Sequence, residues 1–347
     1  MQNPVTDPRL QPMLRWLSSL PAELALELDS LASASSDASF RRYFRLNAAQ
    51  GTLVVMDAPP AQEDCHPFID VDKRLAQVGL NVPGILAANV DEGFLLLSDL
   101  GPTTYYARIE QGIDDATLQS LYRDALEALV QMQTAQHEGL PAYDAIRLKD
   151  ELGLFAQWYA AVHCNSPLDE TSLLAINGVF DLLVAHNVSQ PVVLVHRDFH
   201  SPNLMVCTEP WHGKNPGILD FQDAVAGPIT YDLASLVMDA RTTWEEPKQI
   251  DWAIRYWELA RKKGLAVPVD FADFHKDYEW MGLQRNLRIL GVFARLNHRD
   301  GKAAYLAHMP RVKQYVRQVA GRYIAFKPLL RVLDKLDNVQ ASVGYTF

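Results

Sequence analysis

Cysteine is scarce: Cys65, Cys164 and Cys207 are the only three among 347 residues. Their wide spacing and odd number match neither the paired CxxC spacing of a zinc site nor the density of a disulfide framework, which points to a reducing compartment. Long apolar runs are missing as well. None approaches the roughly 20 residues that a bilayer-spanning helix needs, and the opening MQNPVTDPRLQPMLRWL has no positive segment followed by an apolar one. The expectation is a soluble, cytoplasmic protein without a membrane partner. Basic charge is not in excess either. With 32 Lys and Arg against 42 Asp and Glu the net charge is −10. That balance argues against a general nucleic-acid binder, which displaces counterions with a Lys/Arg-rich face. There is no internal repeat, no low-complexity segment and no sign of a protein partner.

What is present is globular composition, 48% hydrophobic and 21% charged. The length exceeds what most single cores sustain, so two lobes sharing a cleft are expected. Residues 8–31 carry leucines and Trp16 at helical spacing, broken at Pro21, which predicts two short helices. Residues 40–46, 52–56 and 93–97 read as strands, with a helix over 67–78 between them. The stretch LSDLGP (97–102) then reads as a linker. Apolar stripes predict helices over 116–136, 145–163 and 172–187. Short strands follow at 192–196, 204–207 and 217–219, and the pattern after Tyr231 is helical again, with a long helix over 271–297. The predicted fold class is α+β: a small sheet-containing lobe, residues 1–98, and a larger mainly helical lobe, residues 99–347.

The short-strand region holds the chemistry. VHRDFHSPN (195–203) is followed by ILDF (218–221). An Asp on a loop after a strand, an Asn five positions on, and a second Asp ending a later strand is the arrangement that phosphoryl transfer requires. Asp198 can align and deprotonate a hydroxyl nucleophile. Asn203 and Asp220 offer oxygen ligands to Mg²⁺, a hard cation that offsets phosphate charge. Taken singly, Asp198 could cap a turn and Asp220 could simply end a strand; the joint pattern H-R-D-x-x-x-x-N plus D-F is far more specific.

Around these residues HRDFHSPNLMV and ILDFQDAVAGPITYDLASL resemble the aminoglycoside phosphotransferase and choline-kinase family, small-molecule kinases with the two-lobed protein-kinase fold. The resemblance implies ATP and Mg²⁺ as cofactors, Asp198 as catalytic base, and Asn203 and Asp220 as metal ligands. It is strongest to the branch that phosphorylates the anomeric hydroxyl of N-acetylmuramate and N-acetylglucosamine in peptidoglycan recycling, which implies a small sugar acceptor. A small acceptor also follows from spacing. Only 12 residues separate Asp220 from Asp232, which leaves no room for the peptide-docking segment of protein kinases.

The segment LLLSDLG (95–101) resembles the family's hinge, with adenine placed against the backbone from Leu97 to Leu100; Asp99 either belongs to that strip or caps the next turn. SSDASF (35–40) occupies the place of the phosphate-covering loop without G-x-G-x-x-G, so Ser36 and Ser39 would present hydroxyls and N–H groups. A lysine expected near the end of LVVM is replaced by Met56. Arg41, Arg42, Arg45 and Lys73 are the candidate substitutes, though each taken singly reads more readily as a solvent-facing charge.

His196 and Arg197 are read as loop supports, and Asp232 as a helix cap that braces the loop. His200 could contact the sugar or shape a turn. Gln222 and Asp223 could face acceptor or metal. Arg285 and Arg288 share a helix face at i, i+3; either they meet a substrate carboxylate or they form internal ion pairs. Trp158, Tyr159 and Trp280 could stack on a sugar, but helical spacing favours the core. Two alternatives stay open: a kinase for another small alcohol, such as an aminoglycoside or choline, and a nucleotide-binding scaffold without catalysis, suggested by Met56.

Overall fold

The computed structural model describes residues 7–36 and 40–337. Contacts divide the chain into two compact units, one of Met1–Ala135 with Pro202–Asp223 and one of Gln136–Ser201 with Ala224–Phe347. The sequence reading cut the chain once, at Ser98, where the fifth strand ends. By contacts, the two helices that follow that strand group with the sheet.

The first unit begins with helix α1 (Leu10–Ser18) and strands β1 (Glu27–Ser36), β2 (Arg42–Ala48) and β3 (Gly51–Asp57). Helix α2 (His66–Gln77), strands β4 (Ile85–Asn89) and β5 (Phe94–Ser98), and helices α3 (Tyr105–Glu110) and α4 (Asp115–Met132) follow. The five strands form one antiparallel sheet in the order β1-β2-β3-β5-β4. The second helix expected before residue 31 is instead β1, preceded by one 3-10 turn at Ala22–Leu24. Leu28 and Leu31 pack, partly buried, on the core built from Met13, Leu17, Leu46, Val55, Phe94 and Leu96. Apolar burial against the sheet overrides the helical spacing. β4, absent from the sequence reading, shows alternating exposure because one of its faces is solvated.

Strand alternation separates two sheet faces. Leu46, Val55, Phe94 and Leu96 join the core cluster with α1. Their neighbours Arg45, Val54 and Leu97, in mutual register, line a cavity. Met56 shares the parity of Val54 but is fully buried, paired with Tyr43 and Leu95. Methionine suits that apolar position, where a lysine would have to bury its charge.

The hairpin β7 (Leu204–Met205) and β8 (Gly217–Ile218) completes this unit. Gly217 is required by close approach: a Cβ there would lie 2.9 Å from Leu100 Cδ1.

The second unit holds α5 (Ala145–Leu154), which runs on as a π-helical stretch Phe155–His163, then α6 (Glu170–Asn187) and β6 (Val192–Val195). After β9 (Val225–Pro228), which pairs antiparallel with β6, come α7 (Tyr231–Val237), α8 (Glu246–Lys263), α9 (Phe271–His298), α10 (Met309–Arg322) and α11 (Lys327–Leu336). Helix starts follow local chemistry: Asp114, Asp144, Asp169 and Asp270 each accept an N–H from the first turn of α4, α5, α6 and α9. Tyr159 and Trp280 are core residues, as their spacing suggested. Trp280 packs on His186 and Phe326. No helix among the described residues is long and apolar enough to cross a membrane.

Candidate active site

In the first unit a cavity of about 360 Å³ opens between the sheet and the β7–β8 hairpin, within the range of small-ligand sites. Val54, Phe68, Leu97, Leu100, Met205 and Leu219 supply apolar walls; Arg45, Asp99, Asn203 and Asp220 supply polar groups. The strip 97–101 is held from one carboxylate. Asp99, buried, accepts from Arg45 Nε at 2.6 Å and Nη2 at 3.0 Å, from Thr52 Oγ1 at 2.6 Å and from Gly101 N at 3.0 Å. Burial alone would raise its pKa; the hydrogen bonds from Arg45, Thr52 and Gly101 outweigh that and hold it below the usual carboxylate range. Asp99 thus organises the backbone strip and orients Arg45, the one cation among the cavity's lining residues.

The other basic candidates are placed elsewhere. Arg41 pairs with Glu63, Arg42 with Asp7 and Asp57, and Lys73 is exposed. Ser36 ends β1, its backbone paired with Arg42, and Ser39 lies outside the described residues.

The β7–β8 pairing sets Leu204 opposite Ile218, which brings the residues just outside the hairpin to the same end. Leu219 N donates to Asn203 O at 2.9 Å. Asp220 has φ +63°, the left-handed region that L-residues rarely adopt. That turn leaves Asp220 exposed while Phe221 is buried against Phe68, their ring centroids 4.9 Å apart. Such backbone strain is concentrated where a side chain must be aimed. Asn203 Nδ2 donates to Asp220 Oδ2 at 3.2 Å, and Gln222 Nε2 to Oδ1 at 2.8 Å. A carboxylate and an amide thus stand side by side at the cavity wall. The oxygens of both suit Mg²⁺, which takes few protein ligands and fills its shell with phosphate and water. No cluster of three His, Cys, Asp or Glu suited to a metal occurs among the described residues. Asp223 is exposed in the same unit.

The second unit holds Asp198, three residues beyond β6. Asp232, at the start of α7, accepts the N–H groups of His196 at 2.7 Å and Arg197 at 3.0 Å, so it braces the loop rather than capping its own helix. Arg197, with φ +75°, donates to Glu151 Oε1 at 3.2 Å, and Arg288 Nε lies 3.1 Å from Oε2. Tyr143 O–H also donates to Glu151. His200 is buried; Arg241 Nη1 lies 3.2 Å from its Nδ1. Asp239 accepts from the N–H and hydroxyl of Ser201.

Burial would raise the pKa of Asp198, yet its electrostatic interactions with His200, Arg288 and Arg285 hold it below the ordinary value. It is therefore ionised at neutral pH, the state a proton acceptor needs. Arg285 is 3% exposed, and its Nε and Nη1 have no partner among the described residues. Glu151, Asp239 and Thr52 were not read from the sequence, because nothing in the spacing links them to the loops they hold.

An ionised carboxylate on a braced loop in one unit, and in the other a carboxylate–amide pair at the wall of a cavity of small-ligand size, are the parts that phosphoryl transfer requires. The chain belongs to the phosphotransferase enzyme family (APH), whose model matches residues 30–271. It is 45% identical to the N-acetylmuramate/N-acetylglucosamine kinase of Pseudomonas aeruginosa over 338 residues, 95% of this chain and 96% of that one. To the protein of that name from Pseudomonas putida it is 41% identical over 341 residues, 96% of this chain and 97% of that one. Among solved structures, the ADP-bound aminoglycoside phosphotransferase APH(2'')-Ib shares the fold, with a TM-score of 0.58 at 12% identity over 90% of this chain and 99% of that one.

Proposed function

We propose that this enzyme transfers the γ-phosphoryl group of ATP to the anomeric hydroxyl of N-acetylmuramate and N-acetylglucosamine, in the cytoplasm, as a step of peptidoglycan recycling. The observation that carries the acceptor is the near-full-length 45% identity to the Pseudomonas aeruginosa kinase named for these two sugars.

In this reading residues 1–98 form the nucleotide-covering lobe and residues 99–347 the lobe of the catalytic loop and acceptor. The adenine lies against the strip 97–101, between the apolar walls of the cavity. Arg45, oriented by Asp99, faces the phosphates in place of the lysine absent at Met56, and Ser36 and Ser39 cover them. Asn203 and Asp220 hold Mg²⁺, which, when bound, offsets phosphate charge. Asp198 accepts the proton of the sugar hydroxyl as its oxygen bonds to the γ-phosphorus and ADP leaves. Gln222 orients the Asp220 carboxylate, while His200, Asp223 and Arg285 serve the acceptor.

Charge supports this acceptor class over its rivals. Arg285, buried with two N–H groups that have no partner among the described residues, lies within electrostatic reach of Asp198. A cationic acceptor such as choline or an aminoglycoside calls instead for a carboxylate cluster. The test is an ATP-consumption screen over amino sugars, aminoglycosides and choline, with the phosphorylated position read by phosphorus NMR. Turnover of the two sugars at the anomeric oxygen is expected. Phosphorylation of choline or an aminoglycoside alone would refute the acceptor, and Mg·ATP binding without turnover on any acceptor would favour a non-catalytic scaffold.

A further inference from the structure

We propose that Arg285 reads the acceptor's charge: its guanidinium binds the lactyl carboxylate of N-acetylmuramate, so that this residue sets the preference between the acidic sugar and neutral N-acetylglucosamine. The proposal rests on the acceptor reading above and adds to it the residue that discriminates.

Arg285 and Arg288 lie one turn apart on α9, but the fold treats them differently. Arg288 is answered within the protein, by Glu151 at 3.1 Å and by Tyr231 Oη at 3.5 Å. The amide nitrogens of the neighbouring Gln284 and Asn286 also find acceptors, Leu148 O and Met238 Sδ, although their oxygens do not. Arg285 is the most deeply buried arginine of the helix, and no carboxylate lies within ion-pair distance of it among the described residues. A guanidinium enclosed with unanswered N–H groups is costly, and an anion that answers them gains a strong, planar, two-pronged interaction.

The surroundings fit a substrate anion. Arg285 lies close enough to Asp198 and Asp232 for its charge to bear on both carboxylates, and Asp198 is the residue that meets the acceptor hydroxyl in the reading above. Its partner is therefore sought among acceptors. Of the two sugars only N-acetylmuramate carries a carboxylate, on the lactyl ether. A hydrogen bond to a charged group contributes about 1.5–3 kcal/mol, a factor of roughly 10 to 150.

The experiment compares kcat/KM for N-acetylmuramate, its methyl ester and N-acetylglucosamine in the wild-type enzyme, Arg285→Met and Arg285→Lys, at saturating Mg·ATP. The wild type should favour the acid over its methyl ester by about 30-fold. In Arg285→Met that ratio should collapse toward one, and in Arg285→Lys, which keeps the charge without the fork, it should fall between the two. The ester comparison in the wild type needs no variant, so a poorly folding substitution leaves the test intact. A wild type that treats acid and ester alike overturns the assignment. So does Arg285→Met lowering kcat/KM for both sugars by one common factor, which would mean that the arginine acts only through Asp198. Wild-type turnover of neither sugar, with turnover of another alcohol, overturns the acceptor reading and this proposal with it.

Discussion

Replacing Asp99 by Asn tests whether one buried carboxylate organises the nucleotide strip. The change keeps shape and removes charge. Four donors converge on this side chain, two from Arg45, one from Thr52 and one from the Gly101 backbone. An amide can accept on one side only, and its NH₂ group must face donors on the other. Losing the charge-assisted pair costs about 1.5–3 kcal/mol, moderated because Arg45 is 31% exposed and can be rehydrated. A loss of about 2 kcal/mol lowers Tm by roughly 3 °C in a chain of this size. Scanning fluorimetry of the full chain, with and without ADP, reads both stability and nucleotide affinity. ADP binding should weaken about tenfold, since the strip and Arg45 lose their common anchor, equivalent to about 1.4 kcal/mol. The pH dependence is a second check. The carboxylate's pKa is depressed in the fold, so its stabilisation is complete above the unfolded value of about 3.9 and is lost as pH falls through the lower folded value. The gap between wild type and variant should stay constant from pH 8 to about 5 and close in stronger acid. An Asp99→Asn protein with unchanged Tm and ADP affinity, or a gap that widens in acid, would refute the anchoring role.

Four further outcomes are expected. Asp198→Asn should lower kcat by at least about 10²-fold, the contribution typical of general base catalysis, with ADP affinity unchanged by calorimetry; near-wild-type turnover would remove the base. The wild-type kcat/KM should stay flat down to about pH 5, because Asp198 is held below the usual carboxylate range; an acid limb at pH 6 to 7 would contradict that. Asp220→Ala should abolish the Mg²⁺ dependence of nucleotide binding while moving Tm by less than about 2 °C, as expected of an exposed side chain. Glu151→Gln should destabilise the enzyme by about 2 kcal/mol, because Arg197 and Arg288 lose a shared, partly buried partner, and lower kcat more than the KM for ATP.

Residues of the chain differed in legibility. Asp198, Asn203 and Asp220 stand out along a short stretch: a carboxylate five residues before an amide, and a second carboxylate just past the next hairpin strand. Asp72 shows the opposite case. It was invisible at its helical spacing, yet it is buried in α2 on the same face as Phe68, with its pKa pushed up to about 7 by burial. The leucines before residue 31 misled because their spacing satisfies a helix, while the unpaired edge of β2 and the core under α1 draw them into a strand.

By itself, then, the sequence determined the reaction class and most of the helices and strands beyond residue 40, and it singled out the loop and hairpin that carry Asp198, Asn203 and Asp220, all from neighbours along the chain. Only the tertiary structure decided which charges are answered. Arg45 meets Asp99 across 54 residues, Arg288 meets Glu151 across the packing of two helices, and Arg285 meets no carboxylate among the described residues. The physical reason is that a buried charge is satisfied by whatever folding brings beside it, and those partners lie far apart in sequence.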